Sequence, residues 1–189
     1  MGSLKRPVLV LNKLWIPIRV ITVQRAFKLI FVDRASIVSP KDYSVYNWDE
    51  WIKEDALPGE IGVQTVNRRI KVPEVIVLLK YDKVHRRGVR LTKKNIYLRD
   101  KYKCQYTGKQ VSHKESDIDH IIPRCKGGKN SWDNMVVCSK DINRIKGDRT
   151  PAEAGLKLIR KPTKPTFSHL LIDPMIDVPE SWKKFLRSK

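Results

Sequence analysis

Residues 116–150, SDIDHIIPRCKGGKNSWDNMVVCSKDINRIKGDRT, gather an Asp-His pair, a Gly-Gly loop and three asparagines inside a strongly cationic chain. Those side chains suit the hydrolysis of a phosphodiester. The reaction needs a nucleophilic water, neutralisation of the charge that builds on the phosphoryl oxygens, and stabilisation of the departing alkoxide. A histidine near its unperturbed pKa of about 6.5 can take the proton of the water at neutral pH. One hard divalent cation can carry the charge, held by few protein oxygens so that phosphate and water fill its other positions. Asp119 and His120 could supply a cation ligand and a base.

These groups need particular elements to bring them together. Adjacent side chains of a straight strand point to opposite faces, so Asp119 and His120 must sit at a strand end where the backbone turns. The Ile121-Ile122-Pro123 step and the KGGKN turn material permit that. A second short strand over 135–137 would pair back on the first. Residues 140–146 would then form a helix whose inward face carries Asn143, giving a hairpin that clasps a helix around one metal.

With these residues in view, the segment resembles the HNH endonuclease family. Its ββα-metal motif carries His, Asn and then His or Asn, and the order here is His120, Asn134, Asn143. DHIIPRCKGGKNSWDN is similar to the first half of that motif and NRIKGDRTPAEAG to its continuation. The segments VLVLNKLWIPIRVITVQRAFKLIF and VPEVIVLLKY look like the N-terminal region that accompanies some bacterial and phage HNH proteins. The resemblance implies that Asp119 and Asn143 hold a catalytic divalent cation, Mg²⁺ foremost with Mn²⁺ or Ni²⁺ as alternatives, and that His120 activates water. It also implies that Asn134 completes the catalytic set by tying the loop between strands and so orienting His120. Arg124, Lys126, Arg144, Lys146 and Arg149 become candidates for phosphate contacts on double-stranded DNA, cleaved by a one-metal hydrolytic path.

Many HNH proteins frame the motif with two Cys-x-x-Cys pairs that hold a structural zinc. Here Cys104 stands at the first position, but Thr107, Ser139 and Ile142 occupy the other three. Hydroxyls replace thiolates poorly and isoleucine has no donor. A substitute site from Cys104, Cys125, Cys138 and His113 lacks the short paired spacing of structural zinc, so no structural zinc is expected. Contacts among Ile118, Val136, Ile142 and Ile145 are expected to replace it.

The composition agrees with a polyanionic partner. Lys and Arg number 39 against 20 Asp and Glu, a formal charge of +19, which nucleic acid would neutralise and a membrane surface or ribosome could also satisfy. Ten Lys or Arg between 80 and 103 face only Asp82 and Asp100, a density suited to phosphate backbones. There is no apolar run long enough to span a bilayer, and the start MGSLKRPVLVLNK lacks a signal-peptide core, so a cytosolic protein is expected. Three cysteines at no framework spacing are expected to be free thiols.

Further elements follow from periodicity. Residues 7–22 read as two short strands around a turn, 23–34 as an amphipathic helix with Thr22 as N-cap, and 72–81 as a buried strand. Trp48 and Trp51 are expected to pack on the core rather than stack on bases. LTKKNIYLRDKY reads as a helix capped by Thr92, and TPAEAGLKLI as a helix opened by a capping box of Thr150 and Glu153. The expected class is α+β: an N-terminal region at 1–90, an HNH nuclease domain at 91–161 and a basic C-terminal arm at 162–189. The function expected is a metal-dependent DNA endonuclease, monomer or homodimer. The alternatives are a catalytically silent DNA- or RNA-binding module and a ribosome-associated basic protein.

Overall fold

The computed structural model describes residues 2–83 and 88–186. The chain divides into two compact units, Met1–Arg86 with Asp177–Lys189, and Arg87–Ile176. Both mix helices with sheet, so the class is α+β, as expected. Part of the cationic run before the motif, residues 84–87, lies outside the described residues.

In the first unit, β1 (Pro7–Leu11) and β2 (Pro17–Thr22) form an antiparallel pair whose register shifts between Val10 and Leu11. Buried Asn12 builds the turn between them, accepting from the backbone N–H of Leu14 and Ile16 at 3.0 and 2.9 Å. Thr22 caps α1 (Val23–Phe31), its hydroxyl accepting from Arg25 N–H. The helix is shorter than the periodicity suggested. Asp33, at φ +50°, turns the chain left-handed, and Arg34 N–H closes on Leu29 C=O, which starts β3 (Ala35–Val38). There follow β4 (Val45–Tyr46), α2 (Trp48–Trp51) with a capping box between Asn47 and Glu50, and the hairpin β5 (Gly62–Gln64) with β6 (Arg69–Lys71). The strand expected over 72–81 is β7 (Val75–Leu78). Pro73 lacks the N–H that a ladder needs, so pairing begins after it.

The main sheet runs in the order β2-β1-β7-β3-β4, with β1 and β7 parallel and the other neighbours antiparallel. Val8, Val10, Ile37 and Ile76 share one core with Val23, Ala26 and Ile30 of α1. Trp51 joins that core and its indole N–H reaches Lys71 C=O, while Trp48 packs edge-on against Phe27 and Phe31. Leu9 and Leu11 point to the opposite face and are equally buried, so the sheet is covered on both sides.

The basic segment expected as one arm over 162–189 is shared between the units instead. Trp182 is fully buried in the first unit. Its indole N–H bonds Glu74 C=O at 2.9 Å, and the Ser181 hydroxyl meets the Glu74 carboxylate. Phe185 stacks on Trp15 and touches Tyr43 edge-on. A Trp side chain carries so much apolar area that burying it outweighs leaving the segment free.

In the second unit, Thr92 caps α3 (Lys93–Arg99) through a bond from Asn95 N–H. The helix ends in a buried ion pair. Arg99 forks onto Asp100 at 2.8 and 3.0 Å and donates to the carbonyls of Trp132 and Met135, and Asp100 accepts Val137 N–H at 2.9 Å. Arg99 therefore ties the helix to the motif and is not one of the surface cations it was counted among. After α3 come β8 (Ser116–His120) and β9 (Met135–Ser139), which pair antiparallel from Ser116↔Ser139 to His120↔Met135, and α4 (Lys140–Lys146). Ile96, Tyr97, Cys104, Val111, Val137 and Cys138 form the core beneath them.

The helix expected from Thr150 onward is a single turn. Its capping box forms, with Thr150 N–H to the Glu153 carboxylate at 2.8 Å and Glu153 N–H to the Thr150 hydroxyl at 3.4 Å. Gly155 then goes left-handed, at φ +67°, and Leu156 N–H closes back on Pro151 C=O, which stops the helix as it begins.

Truncating Trp182 to Ala should destabilise the protein by about 3–5 kcal/mol, the usual cost of emptying a buried aromatic site. Chemical denaturation followed by tryptophan fluorescence and far-UV circular dichroism measures it, and an unchanged midpoint would contradict the docked placement.

Candidate active site

The end of β8 presents Asp119 and His120, and the loop that follows is held by one side chain. Asn134 is buried. Its amide oxygen accepts Ile122 N–H at 2.8 Å and its amide nitrogen donates to the carbonyls of Ile122 and Lys129 at 3.1 and 3.0 Å. Those bonds occupy the whole side chain, so Asn134 acts on the loop and not on anything in the cleft. Gly128 makes the clamp possible. A Cβ there would lie 1.7 Å from Ile122 O and 2.9 Å from the Asn134 amide nitrogen, so only glycine allows the loop to close. Gly127, next to it, supplies the left-handed turn at φ +83° with open space around it.

The loop brings a further residue, Asn130, to His120. Asn130 Oδ1 lies 2.7 Å from His120 Nε2 and 3.1 Å from an Arg124 guanidinium nitrogen. Arginine can only donate, so the Asn130 atom facing both is its oxygen, and His120 must donate from Nε2. In the neutral ring the lone pair then sits on Nδ1, which has no partner among the described residues. Asn130 thus holds His120 in its Nε2–H tautomer.

Asp119 faces the other way, into the hairpin and helix. Lys146 reaches back from the last turn of α4 and donates to Asp119 Oδ1 at 3.0 Å and to His120 C=O at 2.8 Å. Its side chain is 1% exposed, so the ammonium belongs to the interior and is not the surface phosphate contact it was expected to be. The Tyr106 hydroxyl donates to Asp119 Oδ2 at 2.6 Å. Burial, and then that bond, push the phenol far above its usual range, so it stays a donor. Neither Tyr106 nor Asn130 has a local signal: each is an ordinary loop residue until the chain folds.

A cleft of about 340 Å³ opens over these groups, lined by Asp119, His120, Pro123, Arg124, Asn143 and Asp148 among others. Asn143 projects from α4, half-buried, with no side-chain hydrogen bond among the described residues. The structure thus brings Asp119, His120 and Asn143 to one cleft and leaves Asn134 supporting it from behind. No three His, Cys, Asp or Glu side chains gather anywhere among the described residues. A cation here would rest on one carboxylate and one amide oxygen, a hard and sparse donor set that suits a divalent ion sharing its shell with water and phosphate.

Residues 104–152 match the family model described as HNH endonuclease, and residues 8–86 match the one described as HNH endonuclease-associated, N-terminal domain. The chain belongs to the HNH endonuclease family. No match was found among curated proteins, and none among solved structures. Membership makes the chain a nuclease by family, with a nucleic acid as the substrate class and a divalent metal as the general requirement. No helix is long and apolar enough to cross a membrane among the described residues.

Other cations of this HNH domain divide by environment. Arg124 lines the cleft and Arg144 is exposed without a side-chain partner among the described residues. Lys126 pairs with Glu153 at 2.5 Å and holds that carboxyl down to about 2. Arg149 folds back on the carbonyls of Ile145 and Lys146, capping α4. Of the positions where the family's cysteine pairs would stand, only Cys104 keeps a thiol, and it is buried in the apolar core against Cys138, whose hydrogen bond with it, together with burial, holds the Cys138 thiol above its usual range. Cys125 is exposed on the loop. Val136 is fully buried, with Ile118 and Ile142 half-buried in the core, but Ile145, expected to share this packing, is 56% exposed on the outer side of α4.

The clamp yields a paired prediction. Gly127→Ala should cost about 1–2 kcal/mol, the strain of one alanine in left-handed backbone. Gly128→Ala should cost clearly more, because Ile122 and Asn134 must separate. Urea denaturation of both variants checks the order, and equal midpoints would contradict the close approach.

Proposed function

We propose that this protein is a metal-dependent endonuclease that hydrolyses double-stranded DNA by a one-metal mechanism with His120 as general base. The observation that carries the reading is the pairing of His120 Nε2 with an oxygen that can only accept, which leaves Nδ1 as the basic atom beside Asp119 and Asn143 in one cleft.

Asp119 and Asn143 are the residues that would hold the cation, with Mg²⁺ as the expected ion and Mn²⁺ or Ni²⁺ able to replace it. When bound, such a cation supplies Lewis-acid neutralisation at the phosphoryl group and the leaving oxygen. The chain's own groups do the rest. His120 Nδ1 takes a proton from the attacking water and becomes an imidazolium whose Nε2–H remains bonded to Asn130. Asn130 keeps the ring from turning, and Asn134 and Gly128 keep Asn130's loop in place. Tyr106 and Lys146 fix the two oxygens of Asp119, so the carboxylate does not swing toward the histidine. Arg124 and Arg144 are the cations best placed for phosphate contacts. Lys126 is already paired, and Lys146 and Arg149 serve the interior and the helix end.

The net charge of +19 supports a polyanionic substrate and a salt-sensitive affinity. Duplex DNA is the form that the family resemblance favours, and a bacterial or phage origin rests on the same resemblance.

Supercoiled plasmid incubated with the purified chain and Mg²⁺, Mn²⁺ or Ni²⁺ should be converted to relaxed or linear product, and EDTA should stop the conversion. His120→Ala should lower the rate by at least about 10²-fold while leaving the fold and DNA binding intact, as expected for loss of a general base. Asn130→Ala should act in the same direction by a smaller factor. Binding without cleavage in every metal, on plasmid and genomic DNA alike, would replace this reading with that of a silent nucleic-acid-binding module.

A further inference from the structure

The charges around the cleft cancel. Its lining contains two carboxylates, Asp119 and Asp148, and two cations, Arg124 and Lys146, while His120 in its neutral form and Asn143 add nothing. The innermost pair is tight, with the Lys146 ammonium 3.0 Å from Asp119 Oδ1 and 1% exposed. Exposed Arg144, in the last turn of the same helix, adds further positive charge at the surface. A divalent cation entering such a place meets no net attraction from the protein. At Asp119 it also finds one carboxylate oxygen bonded to an ammonium and the other to a phenol.

We propose that Lys146 is a positioning residue that keeps the cation site electrically neutral, so that the divalent ion is held weakly by the free protein and firmly only once a substrate phosphodiester adds its negative charge to the cleft. The inference rests on the reading of Asp119 and Asn143 as the cation's ligands. Like charges a few ångströms apart in a partly desolvated site repel strongly. Lys146 therefore opposes the cation through the same contact that orients Asp119. A phosphate oxygen brings a compensating charge and a further hard ligand at once, so metal and DNA should each strengthen the binding of the other. By linkage the two enhancements are equal in size. The consequence is economical for a nuclease: the free enzyme does not hold an activated site, and the catalytic set is complete only on substrate.

The removal of Lys146 gives a sign that a merely structural role would not. Loosening the site would weaken metal binding, whereas relieving electrostatic opposition would tighten it. Lys146→Met removes charge and hydrogen bonds together, and Lys146→Gln removes the charge while keeping an N–H donor, so a variant that fails to fold does not end the test.

Mn²⁺ binding to the full chain without DNA can be titrated by the electron paramagnetic resonance signal of the free ion, for the wild type, Lys146→Met, Lys146→Gln and Asp119→Ala, each checked by circular dichroism. The expected result is weak binding by the wild type, affinity raised about tenfold or more in the folded Lys146 variants, and loss of the site in Asp119→Ala. In a second arm, anisotropy of a labelled duplex bound to the His120→Ala chain should show DNA affinity about tenfold higher with Ca²⁺ than with EDTA. Unchanged or weaker Mn²⁺ binding in both Lys146 variants, with Asp119→Ala still abolishing it, would overturn this inference and leave the proposed function standing. Mn²⁺ binding indifferent to Asp119→Ala would overturn the ligand assignment itself, and this inference with it.

Discussion

The ββα unit depends on one buried ion pair. Lys146, at the end of α4, closes on Asp119 and on the carbonyl of His120 near the end of β8, and so fixes helix against hairpin beside the candidate site. Such a pair adds little net stability when whole, because the Coulombic gain mostly repays desolvation. Breaking it is costly, since one charge is then left buried without a partner. The interaction therefore acts less as a source of stability than as a constraint on geometry: the helix can dock only where the ammonium meets the carboxylate. Tyr106 completes that constraint from the segment before β8, and Arg99 with Asp100 repeats the device between α3 and β9.

Around this pair the loop of residues 121–134 orients the His120 ring at the end of β8. Asn134 spends its whole amide on the backbone at Ile122 and Lys129, and Gly128 allows the approach that those bonds require. The loop in turn presents Asn130, which settles which nitrogen of His120 carries the proton. Local packing thus becomes chemistry through three side chains in series. The buried thiols of Cys104 and Cys138 and the half-buried Ile118 and Ile142 pack in one apolar core beneath the hairpin.

Parts of this were legible in the residues alone. The Thr22 and Thr92 caps, the hairpin ending at His120, the helix at 140–146 and the placement of Trp51 in a core all follow from short-range patterns, because caps and periodicity act over a few residues. Where local signals misled, a neighbour decided. The capping box at Thr150 formed, yet Gly155 ended the helix after one turn, and Asp33 in left-handed backbone shortened α1. The strand before the cationic run began late because Pro73 cannot donate to a ladder.

The sequence by itself determined the α+β class, the order His120, Asn134, Asn143 and the family they signal, since these lie within one contiguous segment whose spacing encodes its own turns. Only the tertiary structure decided which charges face solvent. Lys146 reads as one more cation in a basic chain, but it is buried because a carboxylate 27 residues earlier and a backbone carbonyl are waiting for it. Arg99 is interior for the same reason, Tyr106 and Asn130 gain roles only across the fold, and the C-terminal segment docks because Trp182 finds a site beside Glu74, 108 residues away. Burial is a property of pairs distant in sequence, and no pattern confined to one stretch of chain can register it.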